Sequence, residues 1–251
     1  MRSRRSSARC GPSLGQEVKM DYANLGDRLQ ALLGLERQAI AIAFLDDAPA
    51  GVPRVNTPRP ASCSYWKLAS EGAVFHTKAD DHVGCTIGAY THGVSLSPEK
   101  AAELESTIGR MIALNYLRPE EVPQVPHRAE PFQVAVYSPL AQSPCEPQIV
   151  LIRGNARQCM LLTEAAIVAG ISPNRVMARP TCAFLPGTLQ TGRPTPSFAC
   201  IGNRVYTGMD NDELYYAIPG LRIDEVVAAL EKIVVANQAL ESFHQARCTG
   251  A

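Results

Sequence analysis

The feature that most constrains this chain is an ordered pattern of residues that occurs twice. In each copy an Arg-Pro precedes a first cysteine, and a second cysteine follows roughly twenty residues later. An Ile-Gly and a Tyr-Thr come next, in the same order both times. The first copy lies at 59–93 and the second at 179–208. Because five features recur together, the sequence predicts two pseudo-symmetric halves that face each other.

The hydrophobic pattern predicts the fold class. Continuous apolar runs of strand length lie at 39–45, 133–137 and 148–152, with a shorter strand at 73–77. Helices are predicted at 25–33, 63–72, 97–112, 156–169 and 223–239, the third opened by Ser97-Pro98. Segments 88–93 and 202–208 are predicted as glycine-rich loops, and 198–202 as a strand followed by a turn. Strands that alternate with helices indicate an α/β (or α+β) fold, with a mixed sheet and flanking helices.

Composition shifts divide the chain into segments. Residues 1–19 are rich in Arg and Ser and are predicted to be a disordered leader. A first half at 20–118 and a second half at 132–240 are separated by a Pro-rich hinge at 119–131, and 241–251 is a flexible tail. The two halves are expected to form one compact domain.

The charge balance and the number of cysteines limit which binding partners and which cellular compartment are expected. The 24 basic and 24 acidic residues balance, which argues against nucleic acid or an acidic membrane surface as a partner. No apolar window reaches the roughly 20 residues of a transmembrane helix. Eight cysteines without a secretory signal indicate reduced thiols and a cytoplasmic protein. A neutral surface offers little charge repulsion, so self-association into a homo-oligomer stays open.

The repeated cysteines suggest a metal site. Thiolates bind soft and borderline metals, so Cys63, Cys85, Cys182 and Cys200, with His82 nearby, are candidate ligands of an iron–sulfur cluster or zinc. The chain has no Cys-x-x-Cys turn, so the whole fold would have to assemble such a site. Two alternatives stay open: two buried cysteine pairs, structural or redox-active, and cysteines that are merely part of the core.

The Tyr-Thr-Gly segments suggest a second kind of site. Glycines permit the backbone conformations of an anion-binding nest, to which hydroxyl, amide and guanidinium groups add donors. The candidates are Gly88, Tyr90, Thr91, Asn203, Arg204, Tyr206 and Thr207. The alternative is a tight hairpin whose tyrosines pack in the core. Dinucleotide, P-loop and serine-hydrolase motifs are not found in the sequence.

Asp81-His82 lies close enough to Cys85 to suggest a third reading. An enzyme would use Cys85 or Cys200 as a nucleophile and His82 as its base, whereas the structural alternative is a histidine that caps a turn. Whether the chain is an enzyme stays open at this point. The favoured expectation is a redox or cofactor-binding protein with a cysteine-lined site between the halves. The alternative is a non-catalytic protein that binds a small molecule or anion. The sequence identifies neither the small molecule nor a redox partner.

Both motifs together resemble a known family. The stretch 63–93, with Asp81-His82 before Cys85, and the stretch 179–208 are similar to the domain-of-unknown-function family 169, the ArCR proteins. The resemblance extends from Met20 to about Ala239. It implies a shared site but no particular chemistry, because the family has no assigned activity.

Overall fold

The computed structural model describes residues 20–55, 57–175 and 180–248. The leader at 1–19 and Arg179 of the second Arg-Pro therefore lie outside the described residues. No helix in these three ranges is long and apolar enough to cross a bilayer.

Eight α-helices are described. They are α1 (Tyr22–Leu33), α2 (Cys63–Ser70), α3 (Thr86–Thr91), α4 (Pro98–Ala113), α5 (Ala156–Val168), α6 (Phe184–Thr191), α7 (Ile201–Thr207) and α8 (Ile223–Cys248). Local signals determine several ends. The Asp21 carboxylate caps α1, Gly34 closes it in the left-handed conformation, and the Ser97 hydroxyl caps α4.

Six strands form one sheet. They are β1 (Ile40–Leu45), β2 (Phe75–Lys78), β3 (Val134–Pro139), β4 (Ile149–Asn155), β5 (Thr195–Ser197) and β6 (Glu213–Pro219). The spatial order is β2-β3-β1-β4-β6-β5. All five strand pairings are antiparallel. The α/β class with flanking helices is thus confirmed, but the sheet is antiparallel rather than mixed.

The sheet is buried on both faces, which explains why its strands read as continuous apolar runs. In β1, Ala41 faces a first core that also receives side chains of α1, α5 and α8. The neighbouring Ile40 and Ile42 face a second core that receives side chains of α2, α3 and α6. Alternate residues of a strand point to opposite faces, so two helical layers require apolar residues at every position. The repeated cysteine motifs lie on the side of the second core.

The strand order can be compared with the two halves that the repeated motif predicts. Strands β1–β3 occupy one side of the sheet and β4–β6 the other, and the two sets run outward from the β1–β4 pair in corresponding order. This arrangement is compatible with pseudo-symmetry, although the equivalence of the two halves stays a prediction. The hinge predicted at 119–131 places strand β3 in the second half. However, β3 pairs with β1 and β2, which both belong to the first half.

Local predictions at the two Tyr-Thr-Gly segments are wrong. The expected loops at 88–93 and 202–208 contain most of the short helices α3 and α7, and the expected strand at 198–202 gives way to the first turn of α7. Helix α8 continues to Cys248, so residues 241–248 of the predicted tail are helical. The hinge contains a 3-10 turn at Pro119–Gln124.

Candidate functional site

The four repeated cysteines lie at or just before the starts of four helices. Cys63 is the first residue of α2, and Cys182 lies in the 3-10 turn that leads directly into α6. Cys85 and Cys200 are the residues that precede the first turns of α3 and α7. Local chain geometry thus places each cysteine at the beginning of a helix on the same side of the sheet.

Packing brings these helix starts together. Helix α2 contacts α7, and α3 contacts the turn that contains Cys182, so each contact joins elements of different sequence motifs. The main-chain N–H of Cys200 donates to the Thr181 hydroxyl, which lies next to Cys182. All four thiols are free, and we refer to Cys63, Cys85, Cys182 and Cys200 as the thiol cluster.

The pKa values of three cluster thiols agree with this packing. Burial, with smaller contributions from the nearby thiols of Cys200 and Cys85, raises the pKa of Cys63 to about 12. Burial likewise raises the pKa of Cys182, to which all three other thiols contribute. Burial is also the main cause of the raised pKa of Cys85, and Cys200 adds to it. Because Coulomb interactions weaken with distance, these contributions are those expected when α2 packs on α7 and α3 packs on the turn that contains Cys182.

The thiols are nevertheless not arranged around a preformed ion site. Within the described ranges, no group of three or more His, Cys, Asp or Glu side chains has the geometry to hold a metal ion. The cluster consequently brings four soft donors together without the close approach that coordination to a single ion needs.

His82 does not contact a thiol through its ring nitrogens. Its Nε2 lies 2.7 Å from the Thr77 hydroxyl and its Nδ1 lies 2.9 Å from the Ser62 hydroxyl. Because Thr77 Oγ1 donates to the Ala135 carbonyl, it accepts from Nε2–H, and Ser62 then donates to Nδ1. Burial lowers the pKa of His82 to about 3, so the ring is neutral. It is engaged in holding Ser62, next to Cys63, instead of serving as a free ligand or base.

Asn203 is a polar residue that adjoins the thiol cluster. Its main-chain N–H donates to the Cys200 sulfur over 3.4 Å. Its carboxamide is buried, and neither Nδ2 nor Oδ1 has a hydrogen-bond partner. The amide still lies near enough to the Cys63 thiol to lower the pKa of that group against the larger effect of burial. Asn203 therefore touches two members of the thiol cluster.

The other residues predicted for an anion site are largely engaged in local structure. The buried hydroxyls of Thr91 and Thr207 donate to the Gly88 and Asn203 carbonyls of their own helices. Arg204 donates to three main-chain carbonyls, those of Phe198, Asp210 and Glu213.

The remaining members of that set lie beside the thiols or at the surface. Gly88 faces them directly, since a Cβ there would lie 3.8 Å from the Cys85 sulfur and 3.7 Å from the Ser62 hydroxyl. Tyr90 and Tyr206 are partly exposed. Of these three residues, Gly88 is therefore the one that lies against a cluster thiol.

Sequence reasoning overlooked two hydroxyl residues. Ser62 and Thr181 each precede the first cysteine of a motif, and each makes a buried hydrogen bond that fixes the site. The signal was present, because a Ser or Thr immediately before that cysteine is a further shared feature of the two copies.

The comparisons with known proteins agree with the extent of the motifs. The family described as uncharacterised ArCR, domain of unknown function 169, matches residues 28–229. A protein of Methanocaldococcus jannaschii, itself described as uncharacterised, is 23% identical over 219 residues, which cover 81% of this chain and 91% of that protein. No solved structure matches the chain. Since the family match spans most of the sequence and includes the whole thiol cluster, the chain belongs to the domain-of-unknown-function family 169.

Proposed function

We propose that the chain is a redox or cofactor-binding protein that holds an iron–sulfur cluster or a zinc ion through Cys63, Cys85, Cys182 and Cys200. The observation that carries the proposal is that helix packing brings four thiols, distant in sequence, to one side of the sheet, where Cys63 is buried and the other three are partly buried. Thiolates are the ligands that iron–sulfur clusters and structural zinc share.

The chemistry of the donor set fits such a group. Burial raises the pKa of Cys63, Cys85 and Cys182, so these groups are neutral thiols unless a cation compensates for their ionisation. A bound metal supplies that compensation and deprotonates its thiol ligands. The described residues contain no preformed set of side chains around a metal-ion position. Metal binding therefore has to bring the sulfurs closer together than they are in this structure.

Unpartnered polar atoms around Cys63 give independent support. The Asn203 carboxamide and the Tyr137 hydroxyl are buried without hydrogen-bond partners, and both groups interact electrostatically with Cys63. Buried polar groups in proteins are nearly always satisfied, so these unpaired groups near Cys63 leave hydrogen-bonding capacity for a bound group.

Each bound group implies a different role for the same residues. An iron–sulfur cluster supplies one-electron transfer, whereas zinc supplies a structural crosslink or a Lewis acid. The chain's own contribution is the same in both cases: it presents four sulfurs, shields them from water and fixes their backbone through Ser62 and Thr181.

The anion-binding alternative has less support. The hydroxyls of Thr91 and Thr207 and the guanidinium of Arg204 already donate to main-chain carbonyls. An anion would have to compete with these bonds.

Metal analysis tests the proposal directly. Protein purified without oxygen is reconstituted with ferrous iron and sulfide in one sample and with Zn²⁺ in another, and bound iron, sulfide and zinc are measured per chain. We expect stoichiometric binding of one of the two. We also expect its loss in a variant in which Cys63 and Cys200 are both replaced by Ser.

Matched controls lie outside the thiol cluster. Cys145→Ser and Cys248→Ser remove free thiols from a loop and from the end of α8 and should keep full metal content. Circular dichroism confirms that each variant is folded. Folded protein that binds neither metal stoichiometrically would refute the proposal. Disulfides Cys63–Cys200 and Cys85–Cys182, found by mass spectrometry of unreduced protein, would assign these thiols to a dithiol function instead.

A further inference from the structure

Asn203 has a buried polar side chain beside the thiol cluster. The residue is 2% exposed, yet neither atom of its amide makes a hydrogen bond. Leaving a buried amide unpaired is costly, and an apolar residue of the same shape avoids that cost. The position therefore retains a polar group for a purpose other than folding.

The surroundings of the amide indicate what it binds. Its main-chain N–H already donates to the Cys200 sulfur over 3.4 Å, and helix α7 packs against α2, which begins with Cys63. Tyr215, on β6, also interacts with this amide. A tyrosine hydroxyl can donate to Oδ1, whereas a thiolate is only an acceptor and needs Nδ2–H.

We propose that Asn203 is a positioning residue that donates a hydrogen bond from Nδ2 to the Cys63 sulfur of the loaded thiol cluster and tunes the properties of the bound metal. This inference rests on the proposed metal–thiolate function. A hydrogen bond to a ligand sulfur withdraws charge from it, which stabilises the more negative, reduced state of an iron–sulfur cluster. The main-chain bond to Cys200 acts in the same direction, so one residue serves two ligands.

The test compares Asn203→Leu with the wild type in the metal-loaded full chain. Leucine keeps the approximate shape of the side chain but has no donor. For an iron–sulfur centre we expect unchanged iron and sulfide content and a midpoint potential that shifts to more negative values. For a zinc centre, the same comparison uses Co²⁺-substituted protein, and the sulfur-to-cobalt charge-transfer band should shift to lower energy.

Two further measurements separate tuning from a structural role. Val205→Asn adds an amide on the exposed side of the same helix and should leave the potential or band unchanged. In the metal-free protein, Asn203→Leu should be at least as resistant to urea as the wild type, since it removes two unpaired polar atoms. A residue that served only the fold would instead lose stability on this substitution.

The outcomes distinguish failure of this inference from failure of the proposed function. If the wild type binds metal and Asn203→Leu has the wild-type potential or band, the role of Asn203 is refuted while the metal site stands. If the wild type binds no metal, the proposed function fails first, and this inference fails with it.

Discussion

The Thr181 hydroxyl accepts the main-chain N–H of Cys200, so the residue before one cluster cysteine fixes the backbone of the next. Thr181 is buried, and a lost hydroxyl there leaves the partly buried Cys200 N–H without its acceptor. We predict that Thr181→Val destabilises the protein by about 1–3 kcal/mol in urea unfolding. Thr181→Ser keeps the hydroxyl and should retain most of the stability. Equal unfolding midpoints for the two variants would contradict this role.

Buried His92 predicts an acid-sensitive fold. Burial, with smaller effects from His82 and Arg128, lowers the pKa of His92 to about 3. Between pH 6.5 and 3 the unfolded chain binds a proton that folded His92 does not, so stability falls as the pH falls through this window. The expected slope is about 1.4 kcal/mol per pH unit from this residue alone.

The variant His92→Leu removes the pH dependence of stability that His92 contributes, whereas the contribution of buried His82 remains. Urea unfolding at pH 7 and pH 5 should therefore show a smaller acid loss in His92→Leu than in the wild type. Neither ring nitrogen of His92 has a hydrogen-bond partner, so the variant should not be less stable at pH 7. His244→Gln, an exposed position on α8, is the control and should keep the wild-type difference.

The ion pair between Arg153 and Glu213 joins β4 to β6 in a mostly buried position. Burial opposes ionisation of Glu213, but bonds from Arg153 and the Asp210 N–H outweigh it, so the pKa of Glu213 is lowered. We predict that Glu213→Gln costs about 3 kcal/mol at pH 7, because it leaves the Arg153 charge unpaired.

The sign of the pH dependence follows from that lowered pKa. The pair stabilises the fold above the pKa of an unfolded glutamate, and its contribution is lost as the pH falls through the folded value. The difference between wild type and Glu213→Gln should therefore shrink in acid. Glu225→Gln breaks an exposed pair with Arg222 and should change stability by no more than about 0.5 kcal/mol.

Gly220 lies where the chain leaves β6 and passes close to another segment. A Cβ there would lie 1.7 Å from the Pro147 carbonyl oxygen, which is far too short for contact. Gly220→Ala should therefore cost about 3 kcal/mol or abolish folding, as measured by thermal or urea unfolding. Gly109, within α4, has no atom within 4 Å of a Cβ, so Gly109→Ala should instead stabilise by about 0.5–1 kcal/mol. A mild effect at Gly220 would contradict this account.

Local sequence signals predicted the long elements and missed the short ones. Helices α1 and α4 have side-chain caps and several turns, so their residues alone specify them. Helices α3 and α7 have six and seven residues and contain glycine, which leaves too few turns for a periodic pattern. Their helical form depends on packing against α2, α4 and the turn before α6.

Sheet topology and side-chain partners were beyond local reasoning for a different reason. Strand β3 pairs with β1 and β2 across large separations in sequence, and burial of both faces removes the alternation that marks antiparallel strands. At the site, the repeated motif identified the four cysteines, and the structure places them together. The partners of His82 and Arg204 could not be predicted, because Ser62 and the carbonyls that bind Arg204 are selected by tertiary structure.

The central seam of the sheet, where β1 pairs with β4, is narrow. Strands β1 and β4 pair over only three residues, Ile40 to Ile42 with Leu151 to Ile149, whereas β1 pairs with β3 over six and β4 with β6 over seven. The connection that crosses this seam, 143–147, could be cut while each piece keeps a complete three-stranded sheet. We therefore expect the protein to tolerate fragment complementation at this loop. Each fragment would carry two of the four cysteines, so reassembly of the pieces could be followed by their sulfur chemistry alone.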